Sequence, residues 1–92
     1  INFISTQYYL NQNYPNPFNP STTINYQLPE KNYVSLKVYD ILGNLVTTLI
    51  DQEMDAGYYT VNWNASQLAS GIYIYRIISG SYVSTKKMIL MK

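Results

Sequence analysis

The chain has 92 residues, which suits one domain with a single modest hydrophobic core. It contains no cysteine and no histidine, which excludes a disulfide framework, a thiolate metal site, a cysteine nucleophile and a histidine base. The net charge of +1 is too small to attract nucleic acid, and no apolar run approaches the roughly 18 residues of a membrane span.

The chain begins with a mostly polar segment, residues 1–7, and because the first residue is not a start methionine we expect the chain to be a fragment of a longer protein. Residues 14–20, Tyr-Pro-Asn-Pro-Phe-Asn-Pro, are called the strap below. Each proline fixes its own φ and moves the preceding residue toward extended conformations. The sequence therefore predicts a stiff, extended strap in which Asn16 and Asn19 bond local backbone and Phe18 packs inward.

Most of the remaining chain alternates apolar and polar residues, which is the period of half-buried strands, and no helical period is sustained. Residues 42–44 and 79–80 supply turn chemistry and predict two hairpins. Residues 45–50 do not alternate cleanly and require a bulge. Seven strands are predicted, over residues 8–10, 22–28, 34–39, 45–50, 57–63, 72–78 and 82–91. This pattern predicts an all-β fold, a seven-stranded antiparallel β-sandwich.

The alternation also predicts which side chains face the core. Ile24, Tyr26 and Leu28 share the apolar side of the second predicted strand. Trp63 lies on the apolar side of the fifth strand and is the strongest single core candidate. We expect Phe18 and Trp63 to be core residues that close opposite parts of the sandwich.

Residues 68–75, Leu-Ala-Ser-Gly-Ile-Tyr-Ile-Tyr, are similar to a tyrosine corner, in which an early tyrosine of a late strand bonds back to the preceding connection. Tyr73 has the corner position and Tyr75 follows it on the same side, so both are predicted to face inward. Just before this motif, Asn64 can cap a short helical turn that closes at Gly71. The corner favours an immunoglobulin-like version of the sandwich.

Three further patterns suggest ligand binding, and each has an ordinary structural alternative. Residues 51–55 hold alternating acids, but an EF-hand loop needs glycine sixth and glutamate twelfth, so a solvated loop is predicted instead. Residues 17–20 satisfy a PxxP ligand pattern only if the strap stands free of the domain. The tyrosines could form a sugar-stacking platform, but most alternate into strand interiors or stand singly among polar neighbours.

The five acidic residues have no spacing that would hold a general base near a nucleophile. We therefore expect no enzyme activity, no metal site and no cofactor. Residues 81–92 contain Lys86, Lys87 and Lys92 and no acid. One interpretation is an edge strand that the lysines guard against pairing with other chains. The other is a positive surface that a receptor binds.

Three separated blocks of this chain resemble the type A C-terminal sorting domain of the bacterial type IX secretion system. They are residues 15–24, residues 57–63 with 68–73, and residues 87–92. The match as a whole runs from about Tyr9 to Lys92, which implies a sorting domain over residues 8–92 preceded by the end of an interdomain linker, residues 1–7. The residues that match the family's sorting motif are Pro15, Asn16, Pro17, Phe18, Gly57, Gly71, Tyr73, Lys87 and Lys92.

The resemblance implies a non-catalytic signal at the end of a secreted protein, whose partners are an N-terminal cargo domain of the same chain and the outer-membrane translocon. A sortase-like peptidase at the cell surface is then expected to remove the domain near the linker, residues 1–7. The implied route runs through the periplasm to the cell surface or the medium. The alternative is an adhesive or carbohydrate-binding β-sandwich that stays attached to a secreted protein.

Overall fold

Seven strands form two antiparallel sheets in the computed structural model, which describes residues 7–92. One sheet has the strand order β1-β2-β5 and the other has the order β4-β3-β6-β7. Most of the predicted linker, residues 1–6, lies outside the described residues. The strands are β1 (Tyr9–Leu10), β2 (Ser21–Leu28), β3 (Asn32–Asp40), β4 (Leu45–Met54), β5 (Gly57–Asn64), β6 (Gly71–Ser79) and β7 (Tyr82–Leu90).

The inner faces of the two sheets enclose one core, and the predicted alternation is confirmed in β2, β3 and β6. Central strands alternate cleanly because one face meets the opposite sheet and the other meets solvent. The seven-stranded antiparallel sandwich is therefore confirmed. No helix within residues 7–92 has the length and apolarity to cross a membrane. The core consists of Leu10, Phe18, Ile24, Tyr26, Leu28, Val34, Leu36, Val38, Trp63, Ala65, Tyr73, Tyr75, Ile77, Met88 and Leu90.

Phe18 and Trp63 are both buried, with 2% and 8% of their surface exposed. Their predicted separation is wrong, because the two ring centroids lie 5.9 Å apart. The Trp63 ring also meets the edge of the Tyr73 ring at 6.2 Å. The three rings close one end of the sandwich together, because the strap folds back over the end of β5 instead of crossing to the far side.

Residues 51–54 form the second half of β4, so the prediction of a solvated loop there is wrong. They pair with the start of β3, where Ser35 lies opposite Asp51 and Tyr33 lies opposite Glu53. Their side chains are largely exposed because β4 is an edge strand. Because both faces of this segment are largely polar, its sequence has no alternation that would indicate a strand. The required bulge is confirmed by two register shifts between β3 and β4.

The tyrosine corner is confirmed, because the Tyr73 hydroxyl donates to the Ala69 carbonyl at 2.7 Å. The Asn64 side chain accepts a bond from the Ser66 amide at 2.8 Å, as a capping residue does. The chain after it makes a single hydrogen-bonded turn, from the Leu68 amide to the Ala65 carbonyl at 3.0 Å, in place of a helical turn.

Candidate functional site

The strap lies against the outer edge of β7, where the Phe18 amide donates to the Ile89 carbonyl and the Met91 amide donates to the Phe18 carbonyl, both at 2.9 Å. The Asn16 side chain accepts the Ile89 amide at 3.0 Å, so its predicted role in bonding local backbone is wrong. The strap bends instead of running fully extended, and the peptide bonds before Pro15, Pro17 and Pro20 are cis. This stretch of the sheet edge is therefore covered by the protein's own chain.

A buried hydrogen-bond network holds the entry to the strap, and its key residue, Asn13, was missed by the sequence analysis. The Asn13 side-chain amide donates to the Thr22 hydroxyl at 2.9 Å and to the Pro15 carbonyl at 3.1 Å. The Thr22 hydroxyl donates to the same carbonyl at 2.9 Å. Because buried polar groups require hydrogen-bond partners, this network fixes the path by which the chain enters the strap. The available signal was an asparagine placed two residues before the first proline.

The Tyr75 hydroxyl connects the segment that leads into the strap to the four-stranded sheet. It accepts the Asn13 amide at 2.8 Å and donates to the Asn11 carbonyl at 2.7 Å. The Tyr75 side chain is fully buried, and burial raises its pKa to about 12 because the phenolate would lose its hydration. The Gln12 side-chain amide donates to the Lys87 carbonyl at 2.7 Å. Residues 11–18 are thus joined to both β6 and β7.

Gly71 and Tyr73 lie beside the strap, whereas Gly57 does not. Gly71 is opposite Leu90 in the β6–β7 pair, and Leu90 forms a parallel bridge with Phe18. Gly57 is opposite Leu28 at the far end of the three-stranded sheet. Both glycines start a strand with positive φ, +156° and +153°, which L side chains rarely adopt. The structure therefore gathers most of the predicted sorting-motif residues at one end, called the strap end below, and leaves Gly57 at the other.

Lys87 and Lys92 have different surroundings. The Lys87 side chain is exposed on the outer face of the four-stranded sheet, opposite Ile74 of β6. The Lys92 ammonium donates to the Ser66 carbonyl at 2.5 Å, and its backbone amide donates to the Ser70 hydroxyl at 3.0 Å. Lys92 therefore fastens the end of the chain to the turn before β6, whereas the Lys87 ammonium is available to a partner.

Two further cations share the outer face with Lys87. Lys37 of β3 lies directly opposite Arg76 of β6, a like-charge pair that costs stability. The Arg76 guanidinium lies 5.3 Å from the centroid of the Tyr39 ring, which offsets part of that cost. Among residues 7–92, the one ion pair joins Lys31 to an exposed glutamate, so none of these three cations is in an ion pair, although two acids of β4 share the face.

The hairpin between β3 and β4 presents three apolar side chains to solvent at the strap end. Ile41, Leu42 and Leu45 are 64%, 84% and 56% exposed. The Asp40 carboxylate accepts the amides of Leu42 and Asn44 at 2.9 Å, which holds the turn in shape. The bond from Asn44 is the main reason that the pKa of Asp40 lies below its usual value. Exposed apolar side chains on a fixed turn are typical of a contact surface.

The acidic residues of this chain are not gathered into a metal site. Within residues 7–92, no group of three or more Asp, Glu, His or Cys residues is arranged to hold a metal ion. The features that the structure places at the strap end are instead a covered sheet edge and an exposed apolar hairpin, and Lys87 adds an exposed cation on the adjoining outer face. These are features of a protein-binding surface.

The family model described as "Secretion system C-terminal sorting domain" matches residues 12–91 of this chain. No curated protein matches this chain. A solved structure of PorZ from Porphyromonas gingivalis, an essential bacterial surface component of the type-IX secretion system, has a similar fold, with a TM-score of 0.60 and 21% identity. That similarity covers 92% of this chain and 11% of PorZ, so the chain spans about a tenth of the PorZ length. The chain therefore belongs to the family of C-terminal sorting domains of the type IX secretion system.

Proposed function

We propose that this domain is a non-catalytic signal that directs an N-terminal cargo domain of the same chain across the outer membrane. The family match over residues 12–91 carries this proposal. The outer-membrane translocon is the proposed partner, and the domain passes through the periplasm on its way to the cell surface. A sortase-like peptidase then separates it from the cargo within the linker, residues 1–7.

The translocon contacts the strap end of the sandwich in this proposal. Two features support that location: the apolar hairpin tip formed by Ile41, Leu42 and Leu45, and the exposed Lys87, which lies in the same cross-strand row as Leu45 three strands away. Apolar side chains at the centre of a contact supply affinity, and charges at its rim supply specificity. The strap is hydrogen-bonded to β7 through Asn16 and Phe18, and Phe18 is its one buried side chain, so its proposed role is to fix this surface instead of binding as a free peptide.

Removing residues 7–92 from the secreted protein tests whether the domain is required for export. In a host with a type IX system, the truncated cargo should stay in the periplasm while the intact protein reaches the medium. Equal amounts of the two proteins in the medium would contradict the proposal. Mass spectrometry of the exported cargo separates the sorting function from the retained-module alternative, because a sorting domain is absent from the mature protein and a retained module is present.

Two matched pairs of surface variants test the proposed contact surface. Lys87→Ala and Leu42→Ser change exposed side chains of the proposed contact surface. Their controls are Lys31→Ala, which removes an exposed lysine elsewhere, and Val83→Ser, which replaces an exposed apolar residue elsewhere. All four should fold normally, because exposed side chains contribute little to stability. Only the first two should lower the exported fraction of the cargo. Equal export by all four variants would place the contact surface elsewhere.

A further inference from the structure

Among residues 7–92, the side chains on the outer face of the three-stranded sheet include no charged residue, which is unusual for an exposed protein surface. The register places Tyr9, Gln27 and Tyr58 in one row across β1, β2 and β5. A second row holds Asn25 and Thr60, beside Asn11, whose amide bonds the Asn25 carbonyl. The face thus combines tyrosine rings with side-chain amides and hydroxyls. The outward side chains of β2 and β5 are Ser21, Thr23, Asn25, Gln27, Tyr58, Thr60, Asn62 and Asn64.

A depression of about 240 Å³ lies in this face between β2 and β5, and Asn25, Tyr58, Thr60 and Asn11, the residue that follows β1, are among those that line it. This volume is slightly below the range of pockets that enclose a whole small molecule. It is large enough for one pyranose ring of a longer chain. The depression is therefore suited to one unit of a polymer that continues across the face.

The polar side chains of the face are held in fixed orientations. The Thr60 hydroxyl donates to the Asn25 side-chain oxygen, and the Thr23 hydroxyl donates to the Asn62 side-chain oxygen, both at 2.8 Å. These bonds occupy the amide oxygens and leave the amide nitrogens of Asn25 and Asn62 as donors. Ordered amide donors beside a shallow depression match the hydroxyl oxygens of a sugar, which accept hydrogen bonds in fixed directions.

Two exposed tyrosines lie in the row that borders the depression, with Tyr58 among its lining residues and Tyr9 on the other side of Gln27. Tyr9 and Tyr58 are 56% and 62% exposed. They stand two strands apart, which is about 10 Å. That separation is comparable to the repeat of two sugars in an extended β-1,4-linked polysaccharide, so the apolar faces of two alternate rings can each cover one tyrosine. Most tyrosines stand singly in the sequence, which argues against a sugar platform, but the strand register brings these two into one row.

We propose that this face binds a neutral polysaccharide chain that crosses β1, β2 and β5 and places one sugar in the depression. The lack of charge argues against an anionic ligand or a nucleic acid. A second copy of the domain is a poor occupant, because the cores of protein interfaces are apolar whereas this face is rich in amides and hydroxyls. The proposal is independent of the sorting function, because binding needs no secretion system.

Titration of the ¹⁵N-labelled 92-residue chain with cellohexaose, xylohexaose and mannohexaose tests the proposal by amide chemical shifts and calorimetry. At least one of these neutral oligosaccharides should give saturable shifts centred on Asn25, Tyr58 and Thr60. Tyr9→Ala and Tyr58→Ala should each weaken binding about fivefold, the loss expected for one ring contact. Tyr58→Phe should keep the affinity because it keeps the ring.

Tyr33→Ala is the matched control, because Tyr33 is a similarly exposed tyrosine on the other sheet. It should leave the affinity unchanged. The absence of saturable shifts with all three oligosaccharides would overturn the proposal, as would shifts that map to the four-stranded sheet. Self-association of the chain that Tyr58→Ala abolishes would assign the face to a second copy and would equally overturn the proposal.

Discussion

Replacing Tyr75 with phenylalanine tests the buried connection between the strap entry and the four-stranded sheet. The substitution keeps the ring and removes only the hydroxyl, which bonds the Asn13 amide at 2.8 Å and the Asn11 carbonyl at 2.7 Å. Two backbone groups would then lack their partner. Asn13 is 2% exposed, so water cannot replace the lost bond to its amide. The Asn11 carbonyl is nearer the surface and can recover part of its bonding from solvent.

The expected loss follows from the cost of an unsatisfied buried group, about 1–3 kcal/mol. Counting the Asn13 amide in full and the Asn11 carbonyl in part gives a loss of about 2–4 kcal/mol in the free energy of unfolding. For a domain of this size, that corresponds to a fall of roughly 10–25 °C in Tm. Urea denaturation gives the free energy directly and calorimetry gives Tm.

Tyr14→Phe is the matched control, because Tyr14 is 79% exposed and its hydroxyl should contribute little. Hydrogen exchange adds a local measurement, since the Asn13 amide should lose protection in Tyr75→Phe. A loss below about 1 kcal/mol, equal to that of the control, would show that the two bonds do not hold the strap entry.

Three further predictions concern the core and the titrating groups. Phe18→Ala and Trp63→Ala should each cost about 3–5 kcal/mol, and because the rings touch, the double variant should cost less than the sum; an additive urea result would contradict their contact. Burial raises the pKa values of Tyr26 and Tyr75 to about 12, so the stability that these two tyrosines contribute should be present in full below pH 10 and fall by about 2–3 kcal/mol per tyrosine as pH rises to 12, with a smaller fall in Tyr75→Phe. The pKa of Asp40 is lowered, so its contribution should be present above pH 3.8 and disappear in acid; a pH-independent unfolding midpoint below pH 4 would contradict this.

The sequence predicts the strands of this fold well where the two faces of a strand have different surroundings. In β2 the apolar residues Ile24, Tyr26 and Leu28 all face the core, as the alternation requires. The tyrosine corner is equally predictable, because its bond joins residues only four positions apart. Local patterns suffice in both cases.

The failures occur where the environment is set by distant residues. The strand formed by residues 51–54 has no alternation because both of its faces are largely exposed at a sheet edge. The contact between Phe18 and Trp63 spans separate parts of the chain, and its existence depends on the path of the strap. Asn16 also has a distant partner, because its side-chain oxygen accepts the Ile89 amide, 73 positions away. Composition and period contain no information about such pairings.

The candidate site is predictable only in part, for the same reason. The family motif identified the strap, Gly71, Tyr73 and Lys87, which the structure places at one end. The exposed hairpin tip at residues 41–45 and the buried Asn13 were not identified, since exposure and burial at those positions depend on the completed fold. Lys92 was grouped with Lys87, although its ammonium is bonded to the Ser66 carbonyl.

The most direct test of the sorting function is transfer of the domain to an unrelated reporter. A folded periplasmic reporter would be fused to residues 1–92 and expressed in a host with a type IX system and in the same host without its translocon. The account predicts that the reporter reaches the cell surface or medium only in the first host, lacking residues 7–92, and stays in the periplasm, with the domain attached, in the second. A fusion that remains periplasmic in both hosts, while circular dichroism shows the domain to be folded, would contradict the assignment.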